Sequence, residues 1–184
     1  MDSIPPDGIP PDSIPPDGKD WTWVLERACP QCGLDCRAVD PTEVAAMVRD
    51  NAARWVQLLA GHSQVATRPA PQVWSPLEYA CHVRDVFVLY DQRLQLMLTE
   101  HDPLYANWDQ DRTAVTERYG EQDPTTVAGE LSTAAEAVAQ RFAQVTAAQW
   151  ERPGRRSDGA RFTVASFARY FVHDPVHHLH DVTG

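Results

Sequence analysis

Lysine is nearly missing from this sequence: Lys19 stands alone against 15 arginines in 184 residues. Basic charge is scarce altogether. With 26 acidic and 16 basic residues the net charge is −10. Nucleic-acid binding draws on basic patches that neutralise phosphates, so no nucleic-acid partner is expected. No apolar run approaches about 18 residues, and no charged-then-apolar leader opens the chain. The sequence therefore reads as cytoplasmic and free of membrane contact. Its four cysteines are then expected to be reduced thiols or metal ligands rather than a disulfide framework. Two motifs are missing as well. There is no glycine-rich strand–turn–helix loop for a nucleotide or adenosyl cofactor, and no Gly-x-Ser-x-Gly elbow. Dinucleotide dehydrogenases, kinases, doubly wound methyltransferases and serine hydrolases are disfavoured on that ground. The preference for arginine, alanine, valine and proline suggests coding by a GC-rich genome.

What is present begins with a repeat of period five: Asp2-Ser-Ile-Pro-Pro, Asp7-Gly-Ile-Pro-Pro, Asp12-Ser-Ile-Pro-Pro, then Asp17-Gly. Proline pairs favour polyproline II and deny the chain a hydrogen-bonded core, so residues 1–19 read as an extended Pro-rich tail. Residues 20–39 hold a cysteine-containing segment expected to pack on the main domain, which covers residues 40–184. That domain reads as all-α, a bundle of four helices of about 16–24 residues with its site between helices. Asp40-Pro41-Thr42-Glu43 and Ser75-Pro76-Leu77-Glu78 each combine a capping side chain, a proline at the first helical position and a glutamate at the third. Asp123-Pro124 starts a third helix, and Thr163 caps a fourth. Val127, Leu131, Ala134, Val138, Phe142 and Val145 form one apolar stripe. Tyr79, Val86, Leu89 and Leu96 form another, and His82 falls on it. The stretch Trp150–Ala160 has the turn chemistry of a small hairpin.

The C-terminal helix carries His173-Asp174-Pro175-Val176-His177-His178-Leu179-His180-Asp181. Residues four apart share a helical face, so His173 and His177 can share one metal ion. His82 supplies a third imidazole from another helix. Three histidines with open positions suit catalysis better than a closed structural site. Asp85, three residues from His82, and Asp181, four from His177, are candidate acceptors for the second ring nitrogens. His180 lies near the same face and periodicity leaves it open as a ligand, whereas His178 is expected to point elsewhere. Pro175 is expected to kink the helix or restart it with Asp174 as a new cap.

Cys29-Pro30-Gln31-Cys32-Gly33 looks like one zinc knuckle. No matching second pair is spaced like it, so the simpler reading is a reduced loop packing on the bundle. A zinc site drawing on Cys29, Cys32 and Cys36 is the second reading. Cys81 reads as a small core residue. Asn107, Trp108, Asp109, Gln110 and Asp111 cluster polar groups around an aromatic ring and read equally as a helix cap or as a lid over the metal. Arg152, Arg155 and Arg156 read as a solvated turn, with a carboxylate or phosphate site as the alternative.

Trp74-Ser-Pro-Leu-Glu-Tyr-Ala-Cys-His82-Val83 and Tyr170-Phe-Val-His173-Asp-Pro-Val-His177-His178, in that order, resemble the DinB-like superfamily of metal-dependent four-helix bundles over about residues 40–184. That group includes bacillithiol transferases and mycothiol-dependent maleylpyruvate isomerases. The resemblance implies a divalent metal, zinc or nickel, on His82, His173 and His177, with His180 left out. It implies a low-molecular-weight thiol of the mycothiol type as cosubstrate, activated as thiolate at the metal. A small-molecule substrate and a homodimer are further expectations from it. The leading functional expectation is therefore a metal-dependent thiol S-transferase. The rivals are a metal-dependent hydrolase using bound hydroxide and a non-enzymatic metal-binding or interaction protein.

Overall fold

The computed structural model describes residues 14–16, 18–61 and 63–184. Most of the expected Pro-rich tail lies outside the described residues. Four long helices dominate: α1 (Val44–Gly61), α2 (Pro76–Thr99), α4 (Pro124–Ala143) and α5 (Val164–Thr183). A short helix, α3 (Gln110–Thr116), follows α2. Their starts are chemically explicit. The Ser75 hydroxyl accepts from the Glu78 N–H, while the Glu78 carboxylate accepts from the Ser75 N–H, a complete capping box ahead of Pro76. Asp123 accepts from Thr126 N–H to open α4, and Thr163 accepts from Ser166 N–H to open α5. The Asp40 cap begins a 3-10 turn, Pro41–Glu43, that runs directly into α1.

Three short strands sit at one end: β1 (Leu104–Tyr105), β2 (Pro153–Arg156) and β3 (Arg161–Thr163). β2 and β3 form an antiparallel hairpin whose turn contains Gly159 at φ +102°, a left-handed position that favours glycine. β1 joins the other edge of β2 in parallel, Leu104 opposite Arg155. The β2–β3 hairpin forms in the stretch whose turn chemistry read as a small hairpin; the added strand β1 was not expected, and the four-helix architecture is intact.

α1 and α2 each pack along both α4 and α5, while consecutive α1 and α2 touch little. α1 and α2 are therefore diagonal across the bundle. The core is aromatic where α2, α4 and α5 meet. Tyr90 stacks on Phe167 at 4.8 Å and on Phe171 at 4.6 Å, and Phe142 stacks on Phe171 at 5.6 Å. Trp55, Phe87, Leu77, Leu94 and Leu131 are fully buried around them. Each such side chain contributes about 1.5–3 kcal/mol of transfer free energy.

α5 runs through Pro175 as one element, so the restart expected at Asp174 does not occur. The Pro175 carbonyl accepts from the buried Asn51 side chain at 2.8 Å, which ties that turn to α1. Two 3-10 turns of the N-terminal segment, Trp21–Leu25 and Cys36–Ala38, lie against α5. Arg169 of α5 donates to the Val39 carbonyl at 2.9 Å.

Candidate metal centre

The sequence His173-Asp174-Pro175-Val176-His177-His178 contains two pairs at helical spacing, offset by one residue. One residue is about 100° of rotation in an α-helix, so the pairs face different neighbours. Asp174 and His178 face α2. There they meet His82, and one donor atom from each of the three lies within 4.8 Å of the others. His173 and His177 face the N-terminal segment. They meet Cys29 and Cys32, again with all donor atoms within 4.8 Å. The structure does not bring the expected triad of His82, His173 and His177 together in one cluster: the two α5 histidines converge with Cys29 and Cys32, and His82 with Asp174 and His178. His178, expected to point elsewhere, is a member of the first, and His180 of neither.

The first cluster fits a divalent cation by its own geometry. His82 is completely buried, yet neither ring nitrogen has a hydrogen-bond partner among the described residues. Its Nε2 lies 3.3 Å from Asp174 Oδ1, off the direction a hydrogen bond requires. Orphaned buried polar atoms are costly, and a shared cation would satisfy His82 Nε2 and Asp174 Oδ1 together. Asp174 Oδ1 is also 3.9 Å from His178 Nε2. Burial alone would raise the Asp174 carboxyl, but the facing His82 and His178 outweigh it and bring it down to about 2. The carboxylate is therefore ionised and ready to bind. His178 is oriented from behind, because its Nδ1 lies 3.0 Å from Asp181 Oδ2. With Nδ1–H donating to Asp181, Nε2 is left as the ligand atom. Asp181 thus serves His178 first; His177 Nε2 is 3.8 Å from its other oxygen. Asp85 takes no such role. It accepts from Arg84 Nε at 2.8 Å and from the Tyr119 hydroxyl.

Aromatic rings enclose His82. Trp74 lies at 5.4 Å, and Trp108 stacks on it at 5.4 Å with an interplanar angle of 15°. Trp108 is itself fixed by Nε1–H donating to Thr113 Oγ1 at 2.8 Å. Asp109 caps α3 through the Arg112 N–H. Asn107 to Asp111 also line a cavity of about 1060 Å³ that reaches Asp174 and His178 and, on the same helix, His173 and His177, so cap and wall coexist in this stretch. Arg93 borders the cavity too. It is 5% exposed, donates to the Ala106 carbonyl at 2.7 Å and lies over Tyr105 at 5.0 Å. Its Nε has no partner, and it forms no ion pair among the described residues. Of the arginine run, Arg156 faces the cavity and is tied to Asp158 and Tyr170. Arg155 pairs with Asp102, and Arg152 binds the carbonyl of Met97.

In the second cluster Cys29 Sγ lies 3.7 Å from His177 Nδ1. Burial, with the neighbouring His177 next, lowers His173 to about 4 and keeps its imidazole neutral. Burial pushes the Cys32 thiol up, against the pull of the Leu34 N–H. Cys36, expected with Cys29 and Cys32, is buried outside the cluster, and burial raises its thiol to about 12. Cys81 is a buried thiol directed at Gln122 and the Tyr119 carbonyl. Sequence reasoning therefore missed Asp174 and His178, although Asp174-x3-His178 is itself a ligand-spaced pair. It also missed that the partner of Cys-x2-Cys was His-x3-His.

No helix of the described residues is long and apolar enough to cross a membrane. No curated protein matches the chain. Among solved structures, YfiT from Bacillus subtilis, described as a probable metal-dependent hydrolase with an unusual four-helix bundle topology, superposes with a TM-score of 0.68. The two are 19% identical, and the match covers 76% of this chain and 82% of that one. The sequence pattern of the DinB superfamily matches residues 47–182. This span takes in α2 and α4, nearly all of α1 and α5, and both α5 pairs, and the chain belongs to the DinB superfamily.

Proposed function

We propose that the chain is a divalent-metal-dependent enzyme whose ion sits on His82, Asp174 and His178, and that it transfers a small thiol to an electrophilic substrate. The observation that carries this reading is the three-donor cluster, open on the side of a cavity of about 1060 Å³. Three protein ligands leave positions for reactants, as in catalytic rather than structural sites. Pockets for one drug-sized ligand span about 300–1,000 Å³, so this cavity has room for two small reactants side by side. A bound divalent cation supplies Lewis acidity that brings the pKa of a neighbouring thiol or water towards neutrality.

The chain's own groups supply position and shielding. Asp181 fixes the His178 tautomer, and the Trp74 and Trp108 rings hold His82 and exclude water from behind it. Arg93, a buried cation without a carboxylate partner, suits an anionic group of thiol or substrate. No thiol of the chain serves as nucleophile: Cys81 is buried against Gln122 and the Tyr119 carbonyl, Cys36 is buried outside both clusters, and Cys29 and Cys32 belong to the other cluster. The thiol must be a free cosubstrate, of which mycothiol is one type.

The test is turnover of electrophilic probes with added low-molecular-weight thiol, before and after chelation. Thiol-dependent turnover that chelation abolishes and His82→Ala destroys is expected. Activity surviving complete metal removal refutes the reading. A hydrolase is the second reading, favoured by what is said of YfiT; chelator-sensitive turnover without any thiol would select it.

A further inference from the structure

We propose that Cys29, Cys32, His173 and His177 form a second, closed zinc site that clamps the N-terminal segment to α5. It rests on residues separate from those of the His82 cluster. Four donors from two distant parts of the chain converge within 4.8 Å of one another. In a tetrahedral zinc centre with bonds of about 2.1–2.3 Å, neighbouring donors are about 3.4–3.8 Å apart. Cys29 Sγ and His177 Nδ1, at 3.7 Å, already have that separation. Only small side-chain adjustments separate the other donors from it.

Each half is built for the purpose. The cysteines sit on a tight turn in which the Gly33 N–H donates to the Cys29 carbonyl and the Cys29 N–H to the Leu34 carbonyl, both at 2.9 Å. Gly33 has φ +76°, a conformation that favours glycine and lets the chain reverse after Cys32. The histidines come from successive turns of α5, with rings 5.0 Å apart. His173 is 4% exposed, and its Nε2 has no hydrogen-bond partner among the described residues. Cys29 is 1% exposed and His177 6%. Trp21 packs on both imidazoles, at 5.6 and 5.2 Å, adding an aromatic wall. Two thiolates and two neutral imidazoles give a zinc ion a net neutral, four-coordinate shell without an open position, the chemistry of a structural site. The clamp also sets the rotation of α5, and with it the aim of Asp174 and His178 across the next 100° of the helix.

The experiment is cobalt substitution of the full chain, read by absorption, with zinc content measured alongside. Wild type is expected to show a thiolate-to-cobalt charge-transfer band, which a nitrogen-and-oxygen site cannot give. His82→Ala should retain the band and about one equivalent of zinc, because it empties the other cluster alone. Cys32→Ser should abolish the band, and chelation should expose Cys29 and Cys32 to alkylation. Absence of the band in wild type overturns the proposal, as does a Cys29–Cys32 disulfide by mass. If Cys32→Ser does not fold, the wild-type spectrum still decides. If the His82 cluster binds nothing, wild type holds one zinc and keeps the band, so the two readings fail separately.

Discussion

Asp181 is the residue whose removal tests the proposed His82–Asp174–His178 metal site most selectively. Its carboxylate is 3.0 Å from His178 Nδ1 and 3.8 Å from His177 Nε2, so it grips the His82–Asp174–His178 cluster and only brushes the cysteine cluster. Burial opposes its ionisation, but the His178 bond and charge outweigh that and lower its pKa, so it is charged at neutral pH. Groups that orient a metal-bound imidazole are typically worth 10–100-fold in metal affinity, about 1.4–2.7 kcal/mol. Asp181→Ala removes the acceptor and should reach the upper part of that range. Asp181→Asn keeps a carbonyl oxygen for the Nδ1–H and should stay near the lower part. The fold should notice less: the side chain is 26% exposed, and pairs of this kind contribute about 0.2–1 kcal/mol. Competition of cobalt or zinc against a chromogenic chelator measures the affinity, and thermal melting of the metal-free protein measures the fold. Unchanged affinity in Asp181→Ala, or a loss confined to the thiolate-ligated metal, refutes this assignment of Asp181.

Three other substitutions probe the surroundings. Trp108→Ala loses the stack on His82, worth about 0.5–1.5 kcal/mol beyond area burial, and should cut turnover by up to about tenfold with metal content retained; Trp108→Phe should recover most of it. Unchanged turnover in the alanine variant would reduce Trp108 to packing. Arg93→Met should raise KM for an anionic reactant by about 10–150-fold, the value of a hydrogen bond to charge, and leave a neutral analogue unaffected. Equal effects on both would dismiss Arg93 as an anchor. Glu78→Gln should cost about 2–3 kcal/mol at neutral pH, because the buried Glu78 carboxylate caps α2 and accepts from Arg68. Burial pushes the Glu78 pKa up, but Arg68 and Ser75 overcome it and the net shift is downward. The unfolded chain therefore binds the proton first as pH falls, and the stabilisation is present above the ordinary glutamate value of 4.5 and lost through the folded value. The variant and wild type should converge in denaturant titrations at acid pH, and a pH-independent gap would reject the ion pair as its origin.

The helices were legible because their signals are local. Asp40-Pro41, Ser75-Pro76-Leu77-Glu78, Asp123-Pro124 and Thr163 each satisfy N–H groups within three residues of themselves. The pairing of Leu104 with Arg155 was not, since it joins strands about 50 residues apart through two residues of contact. The grouping of the candidate site residues was less legible, for a subtler reason. Spacing by four is present twice in His173-Asp174-Pro175-Val176-His177-His178, and spacing alone does not say which pair faces α2. That choice belongs to the rotation of α5, and the apolar stripe of the same helix carries it. Phe167 and Phe171 stack on Tyr90 of α2, and adding three and seven positions to Phe171 arrives at Asp174 and His178. The Asp174–His178 pair therefore extends the core stripe by two turns, while His173 and His177 sit one residue behind it and face the N-terminal segment. Read along the helix from its core residues rather than from its histidines, the sequence separates the two clusters. What it could not show is that the companion of Cys29 lies 148 positions away on that second face: only the packing of the Trp21–Leu25 and Cys36–Ala38 turns on α5 brings them together.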